Sequence, residues 1–362
     1  MKSSGIFRIM LSLLAGFFLL AASASGEKSV LISFTGDCTI GSEEDHRRDP
    51  DSFVSVISRE GMAYPFQQFL FMFEQDDCTV INLEGVLSDS PAQENKDKTY
   101  RFRGDTSYAA ILTAASVEAC SLANNHVRDF GDQGLHTTQQ TLAENNIGWF
   151  RLLEPYIFEK DGIRIAFFAV DESSYMRSSE ALRNRMMQMK ADGEANAVVV
   201  CMHSGREYTA QHYDMQEKRG ATLTKFGADL VIMNHAHVVQ GIRIANNRTI
   251  CYSLGNFVFG GNSKIRTKTY GKHTLTSRYT LVVQARLDFA DDGTYLGQQI
   301  ILVPAFSSDD PVDNHYQPYP VYGEDAAAVM DAVQFDTDFQ LPGLTETDHC
   351  MSAVLPYLPA EN

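Results

Sequence analysis

An α/β fold in which mixed β-sheets are covered by helices is expected from the sequence on three grounds. From residue 29 onward, short β-branched runs alternate with longer segments of helical periodicity, the pattern of sheet layers packed under helices. Two pairs of runs sit close enough to form hairpins: residues 156–170 around Asp161-Gly162, and residues 278–303 around Asp291 to Gly293. They add antiparallel neighbours to an otherwise parallel arrangement, so the sheets are expected to be mixed. The 362 residues are 44% hydrophobic and 21% charged, an ordinary globular balance that excludes a disordered chain and a multi-span membrane protein.

In chain order, the first segment stands apart. Lys2 and Arg8 precede the apolar run 9–22, and Ala22-Ser23-Ala24 is a small-residue cleavage site, so residues 1–24 read as a secretory signal peptide and the rest as an exported, extracytoplasmic chain, secreted or at the cell surface. Their removal takes away two positive charges and no acids, which moves the formal charge from −16 to −18. A chain this acidic is not a general nucleic-acid or anionic-membrane binder. Strands are expected at 30–34, 79–82, 117–122, 164–170, 197–202, 230–233 and 249–253, each a short run rich in Val, Ile or other apolar residues. Between them, 65–74, 108–115, 134–145, 174–190 and 215–226 carry helical periodicity.

One domain over 25–310 accounts for this pattern, with no internal repeat or linker. Beyond Pro304 the chain becomes rich in Pro, Asp and Tyr, and 311–362 is expected to be a wrapping extension with a short helix at 326–334 and a polar tail. Five of the six cysteines, Cys38, Cys78, Cys120, Cys201 and Cys251, lie in or beside apolar strand-like runs, the setting of buried free thiols. No CxxC pair occurs, which excludes a zinc knuckle or a thioredoxin-type site.

The chemistry concentrates just past the C-terminal ends of the expected strands, where open α/β sheets bind ligands. Asp37 follows "LISFTG", Glu84 follows "TVINL", Asn125 and His126 follow "EACSLAN", His203 follows "AVVVCM", and His235 and His237 follow "DLVIMN". Singly, Asp37 or Asn125 is explained as a cap, and His235-Ala236-His237 is a weak motif. As a set, five successive strands deliver metal-ligand residue types to one edge, which points to a shared metal site. Two further stretches are candidate substrate contacts. "YRFRGD" clusters Arg101 and Arg103 with aromatics, a grip suited to carboxylates or phosphates, although alternating arginines on a strand edge are as often solvated. "GNFVFGGNSKIRTK" places Asn256 near the site and then turns basic and glycine-rich, as a loop over a cleft or at the surface. There is no Gly-x-Ser-x-Gly elbow, activated cysteine or Walker-type loop, so an enzymatic reading depends on metals.

The blocks "TGDCTIG", "NLEG", "LANNHVRDFGDQGL", "HSGREY" with Gln216 beyond it, "FGADLVIMNHAHVVQG" and "YSLGNFVFG" resemble, in order, those of the CapA family of poly-γ-glutamate capsule synthesis proteins, a branch of the calcineurin-like metallophosphoesterases. The resemblance covers about residues 29–310. It implies a metallophosphoesterase-like four-layer αββα sandwich with one or two divalent ions, Mn, Zn or Fe. Asp37 and His237 would hold one ion, Asn125, His203 and His235 the other, and Glu84 would bridge them. His126 would be the general acid or charge stabiliser, with Asp129 serving the turn, and Glu207 and Gln216 would contact substrate or support the ligands. The first block departs from the superfamily's Asp-x-His, since this chain has Asp37-Cys38-Thr39, and one ion is left short of a ligand.

The resemblance further implies an exported protein acting in synthesis, processing or attachment of an anionic surface polymer such as poly-γ-glutamate, as a metal-dependent hydrolase or transferase, with a membrane synthase complex as a candidate partner. The alternatives are a secreted phosphomonoesterase or phosphodiesterase acting on a phosphorylated small substrate, and a non-catalytic polymer-binding subunit.

Overall fold

Two mixed sheets form the centre of the computed structural model, which describes residues 28–270 and 273–360; the expected signal peptide lies outside the described residues. The larger sheet runs in the order Thr345–Glu346, Met351–Val354, Tyr295–Phe306, Tyr279–Phe289, Lys28–Thr39, Cys78–Leu83, Val117–Ser121 and Gly148–Phe150. Its last four strands are parallel to one another, and the long Tyr279–Phe289/Tyr295–Phe306 hairpin is antiparallel. The smaller sheet runs Ile242–Ala245, Arg248–Cys251, Leu230–Asn234, Ala197–His203, Ile163–Asp171 and Tyr156–Lys160. It is parallel at its centre and antiparallel at both edges.

The strand sequences explain the layering. In Ile163–Asp171, Ile165, Phe167 and Ala169 join an apolar cluster shared with Ile32, Phe34, Val80 and Val283 of the larger sheet, while Ala166, Phe168 and Val170 pack on the opposite side against Leu182, Met186 and Leu223. Side chains alternate across a strand, so a strand buried on both faces must be apolar at every position. Beneath the larger sheet, Cys38, Ile81, Leu83 and Cys120 meet Phe53, Phe69, Ile111 and Leu142 of the helical segments. The order is therefore helix, sheet, sheet, helix.

Several local expectations are refined. The stretch at 65–74 is a 3₁₀ helix Tyr64–Phe69 followed by an α-helix Leu70–Phe73, and 108–115 likewise divides into Thr106–Tyr108 and Ala109–Thr113. An unforeseen helix, Phe53–Glu60, starts at Ser52, whose hydroxyl accepts from the Ser55 N–H, and stops at Gly61 with φ of 91°. The first strand continues past residue 34 to Thr39 because Asn256–Phe259 pairs with its end, Asp37 opposite Asn256. The C-terminal extension is part of the body of the molecule. Its helix spans Gly323–Phe335, and beyond it Met351–Val354 and Leu358–Pro359 pair with Tyr295–Phe306 instead of forming a free polar tail. All six cysteines are free, Cys201 half-buried and the others buried. No helix among the described residues is long and apolar enough to cross a membrane.

Candidate metal centre

Where the two sheets meet at their strand ends, the polar residues singled out from the sequence converge. Asp37, at the end of the first strand, accepts from Asn82 Nδ2 at 2.7 Å and from the His235 backbone N–H at 3.2 Å. A register shift between Phe34 and Asp37 interrupts the pairing with the neighbouring strand, the kind of irregularity that re-aims a side chain. Cys38, the next residue, points the other way. Its thiol lies in the apolar cluster beneath the sheet, beside Thr35 and the Gly36 carbonyl, and burial pushes it up to about 12.

Glu84 is fully buried at the end of the adjacent strand, and neither carboxylate oxygen has a hydrogen-bond donor. Its Oε1 lies 3.6 Å from His203 Nε2 and 3.9 Å from His126 Nε2. Burial, reinforced by the Asp37 charge, pushes the Glu84 carboxyl well above the usual carboxylate range. His203 Nε2 also lies 2.8 Å from Asn125 Oδ1, which brings the Asn125 carbonyl into the cluster. Burial and the neighbouring histidines hold His203 well below its ordinary value.

The His235-Ala236-His237 segment lies just past the end of the strand Leu230–Asn234 and is no longer extended. His235 has φ of 115° and His237 φ of 56°, left-handed conformations that cost energy in non-glycine residues and cluster at functional sites. With the backbone so turned, the His203 and His235 rings lie 4.5 Å apart and the His235 and His237 rings 6.1 Å apart. His237 Nδ1 sits 2.9 Å from Asn256 Oδ1 and 3.3 Å from Asp37 Oδ2. Burial lowers His237, but Glu84 and Asp37 outweigh it and hold the ring at about 9.

Among the described residues, three donor sets each fall within 4.8 Å: Glu84, His203 and His235; Asp37, Glu84 and His237; and Glu207, His235 and His237. Two of them share Glu84. The donor chemistry fits divalent ions. Imidazoles and carboxylates are the ligands of first-row metals, and a buried carboxylate without donors, beside a buried His235 Nδ1 that also lacks a partner, is costly unless a cation completes it.

Other candidates are placed differently. His126 Nδ1 lies 2.7 Å from Asp129 Oδ2, its ring lies 4.2 Å from that of Phe102, and burial keeps it below its usual value. Asp129 therefore does more than serve the turn: it also accepts from the Phe102 N–H and from Lys98. Asn256 is buried against His237 and orients that ring rather than facing substrate. Gln216 is fully buried at the start of helix Asp214–Lys225, where it accepts from the Tyr213 N–H and donates to the Ser204 carbonyl. Arg101 is engaged by Glu94 and Asp45, and Arg103 by both oxygens of Glu44. Both guanidinium groups are thus paired with acids of neighbouring segments and brace the rim.

Reading from the strand ends missed Asn82 and Asn124. Asn82 donates to Asp37 and accepts from Asn124 Nδ2, and Asn124 in turn accepts from the His126 N–H. Their one sequence signal was position, an amide at the end of an apolar run. It also missed Lys98, which donates to the backbone carbonyl of Asn125 at 2.7 Å.

The chain is 25% identical over 228 residues to the capsule biosynthesis protein CapA of Bacillus anthracis (56% of each chain) and 26% identical over 247 residues to the PGA biosynthesis protein CapA of Bacillus subtilis (63% of this chain, 62% of that one). It is 33% identical over 270 residues to a probable polyglutamine synthesis accessory protein of Mycobacterium tuberculosis, covering 62% of this chain and 70% of that one. The match thus spans 56% and 62% of the length of the two Bacillus proteins. Among solved structures, a hypothetical protein from Thermus thermophilus superposes over 76% of this chain and 99% of its own with a TM-score of 0.43 and 14% identity, too loose a likeness to fix the fold. A family model described as "Bacterial capsule synthesis protein PGA_cap" matches residues 31–261, well over half the chain and all of the clustered donors, and the protein belongs to that family.

Proposed function

We propose that the protein is an exported, divalent-metal-dependent hydrolase or transferase, built on a metallophosphoesterase-like αββα sandwich, that acts in synthesis, processing or attachment of an anionic surface polymer such as poly-γ-glutamate. The observation that carries this reading is the buried carboxylate of Glu84, without donors and facing His203 and His126. The helix–sheet–sheet–helix layering and the donors at the strand ends support the sandwich, the names of the Bacillus relatives support the polymer, and the N-terminal charge and apolar run support export.

Asp37 and His237 would hold one ion, His203, His235 and Asn125 a second, with Glu84 between them. The mixed imidazole–carboxylate donor set suits Mn, Zn or Fe. What such ions supply when bound is Lewis acidity: a polarised substrate oxygen and a water acidic enough to attack near neutral pH.

The chain's own residues supply the rest. Asn256 and Asp37 at Nδ1 of His237 leave Nε2 of that ring as its ligand atom, the carboxylate–histidine support typical of metal sites. Asp129 fixes Nδ1 of His126 and leaves Nε2 to hold or release a proton at the substrate. Lys98, paired with Asp129, lies beside His126 Nδ1 and donates to the Asn125 backbone carbonyl, which ties these two residues together.

The test is metal content by mass spectrometry on protein purified without chelator or nickel affinity, followed by assay against a γ-glutamyl amide and an aryl phosphate. Two ions per chain and release of one product support the reading and identify the scissile bond. His126→Ala should then keep the metal and lose about 10²–10⁴-fold in turnover. No stoichiometric metal, even with added Mn²⁺ or Zn²⁺, removes the hydrolase reading and leaves a non-catalytic polymer-binding subunit.

A further inference from the structure

The Asp37 side of the centre is poor in donors. Asp37, Glu84 and His237 offer three residues, while divalent first-row ions take about four to six ligands, and the neighbouring Cys38 is turned into the core. Glu207 belongs to a second set that shares His237 with this one. Its carboxylate, His235 and His237 place donor atoms within 4.8 Å of one another.

That approach is built into the backbone. The Ser204 N–H donates to the Asn234 carbonyl at 2.9 Å and the Tyr208 N–H donates to the Ala236 carbonyl at 2.8 Å, so the segment 204–208 is laced to the segment carrying the two histidines. Gly205, with φ of 146°, and Tyr208, with φ of 53°, make the turn that presents Glu207. The Tyr208 ring rests 5.6 Å from the His237 ring and is covered in turn by the Arg266 guanidinium at 4.5 Å.

Two observations point to a ligand at this place. The Glu207 carboxylate forms no hydrogen bond or ion pair with another described residue, although it is exposed beside a basic loop. The buried Nδ1 of His235, one of the two histidines it approaches, also has no partner. A carboxylate held by its own backbone next to two imidazoles, without a cationic side chain as partner, has the chemistry of a metal ligand.

We infer that Glu207 is a metal ligand, closing the cluster on its solvent side opposite the buried Glu84. This assignment rests on the two-metal reading. An exposed glutamate has room to move, so this ligand is the one that can yield to an incoming anionic group, whereas Asp37 and Glu84 are locked in the interior.

The experiment is equilibrium titration of the metal-free full chain with Mn²⁺ and, separately, Zn²⁺, read as bound metal per chain after dialysis. Unmodified protein, Glu207→Gln, Glu207→His and Asp37→Asn are compared, with circular dichroism confirming that each is folded. The expected result is two ions in the unmodified protein, a loss of about 10–100-fold in affinity at one of them in Glu207→Gln, and recovery of most of that loss for Zn²⁺ in Glu207→His. Two ions bound with unchanged affinity in Glu207→Gln, alongside a lost ion in Asp37→Asn, overturn the Glu207 assignment and leave the two-metal reading standing. No metal bound by the unmodified protein overturns both.

Discussion

At position 84 a glutamate is fully enclosed with both oxygens lacking donors, and Asp37 lies within the same donor set. Burial, with Asp37 beside it, disfavours its charge, and a buried polar group without partners costs a fold about 1–3 kcal/mol, a cost an apolar side chain of similar shape avoids. Glu84→Met is therefore expected to raise the thermal midpoint of the metal-free protein while abolishing stoichiometric Mn²⁺ or Zn²⁺ uptake. Calorimetry in chelator and with added metal reads both effects, and a lower midpoint in chelator would contradict the idea that Glu84 is costly without a cation. The neighbouring residues show how the cost is distributed. Asn82 and Asn124 form a relay of amides from Asp37 to the His126 backbone, so Asp37 and His126 share one hydrogen-bond network.

Between elements, the geometry depends on close approach and on what is buried at strand ends. Gly36 lies where a Cβ would meet the Gly255 carbonyl oxygen at 2.2 Å, and this contact sets the strand bearing Asp37 beside the strand bearing Asn256. Gly36→Ala should separate the two strands, cost about 1–3 kcal/mol in urea-denaturation stability, and weaken metal binding although residue 36 is no ligand. Unchanged stability and metal affinity would show that the approach is not required.

Asp76, ahead of the strand Cys78–Leu83, is raised to about 7 by burial despite hydrogen bonds from Ser33 and Thr79. The native state then keeps its proton at pH values where the unfolded chain has lost it, so stability falls as pH rises from the ordinary carboxylate range to about 7 and is constant beyond. Asp76→Asn is expected to flatten that part of the pH–stability curve, by a few kcal/mol at most. An unchanged slope between about pH 4 and pH 7 would assign the dependence to other groups.

For the molecule as a whole, the C-terminal segment seals the edge of the larger sheet. Met351–Val354 and Leu358–Pro359 pair with Tyr295–Phe306, and Cys350, Ala353 and Leu355 are buried. Removing residues 345–362 would expose unpaired backbone along an apolar strand, which invites edge-to-edge association. The truncated protein is expected to self-associate on size-exclusion chromatography and to melt at lower temperature, although none of the clustered donors is touched. A monodisperse truncation with the parent melting temperature would show that the edge needs no cover.

The alternation of strands and helices, the two hairpins and the metal-ligand residue types at the strand ends were legible before any packing was known, because periodicity and side-chain chemistry are local properties. A local signal also existed for the helix Phe53–Glu60, with Ser52 ahead of apolar residues at Phe53, Val56 and Ile57, but it was too short to stand out beside the loop around it. Where the polar side chains point was fixed by tertiary packing alone. Arg101, Arg103, Gln216 and Asn256 have the right chemistry for substrate contacts, yet each is consumed by partners inside the protein. Asp129 was legible as a turn residue and not as the partner of His126, since its carboxylate is shared with Lys98 and the Phe102 backbone from another stretch of chain. The same holds for the C-terminal strands, runs too short to signal pairing with a strand well before them in the chain. Side-chain direction and edge pairing are settled by which distant groups satisfy a buried donor or acceptor, and those groups meet only once the two sheets have packed.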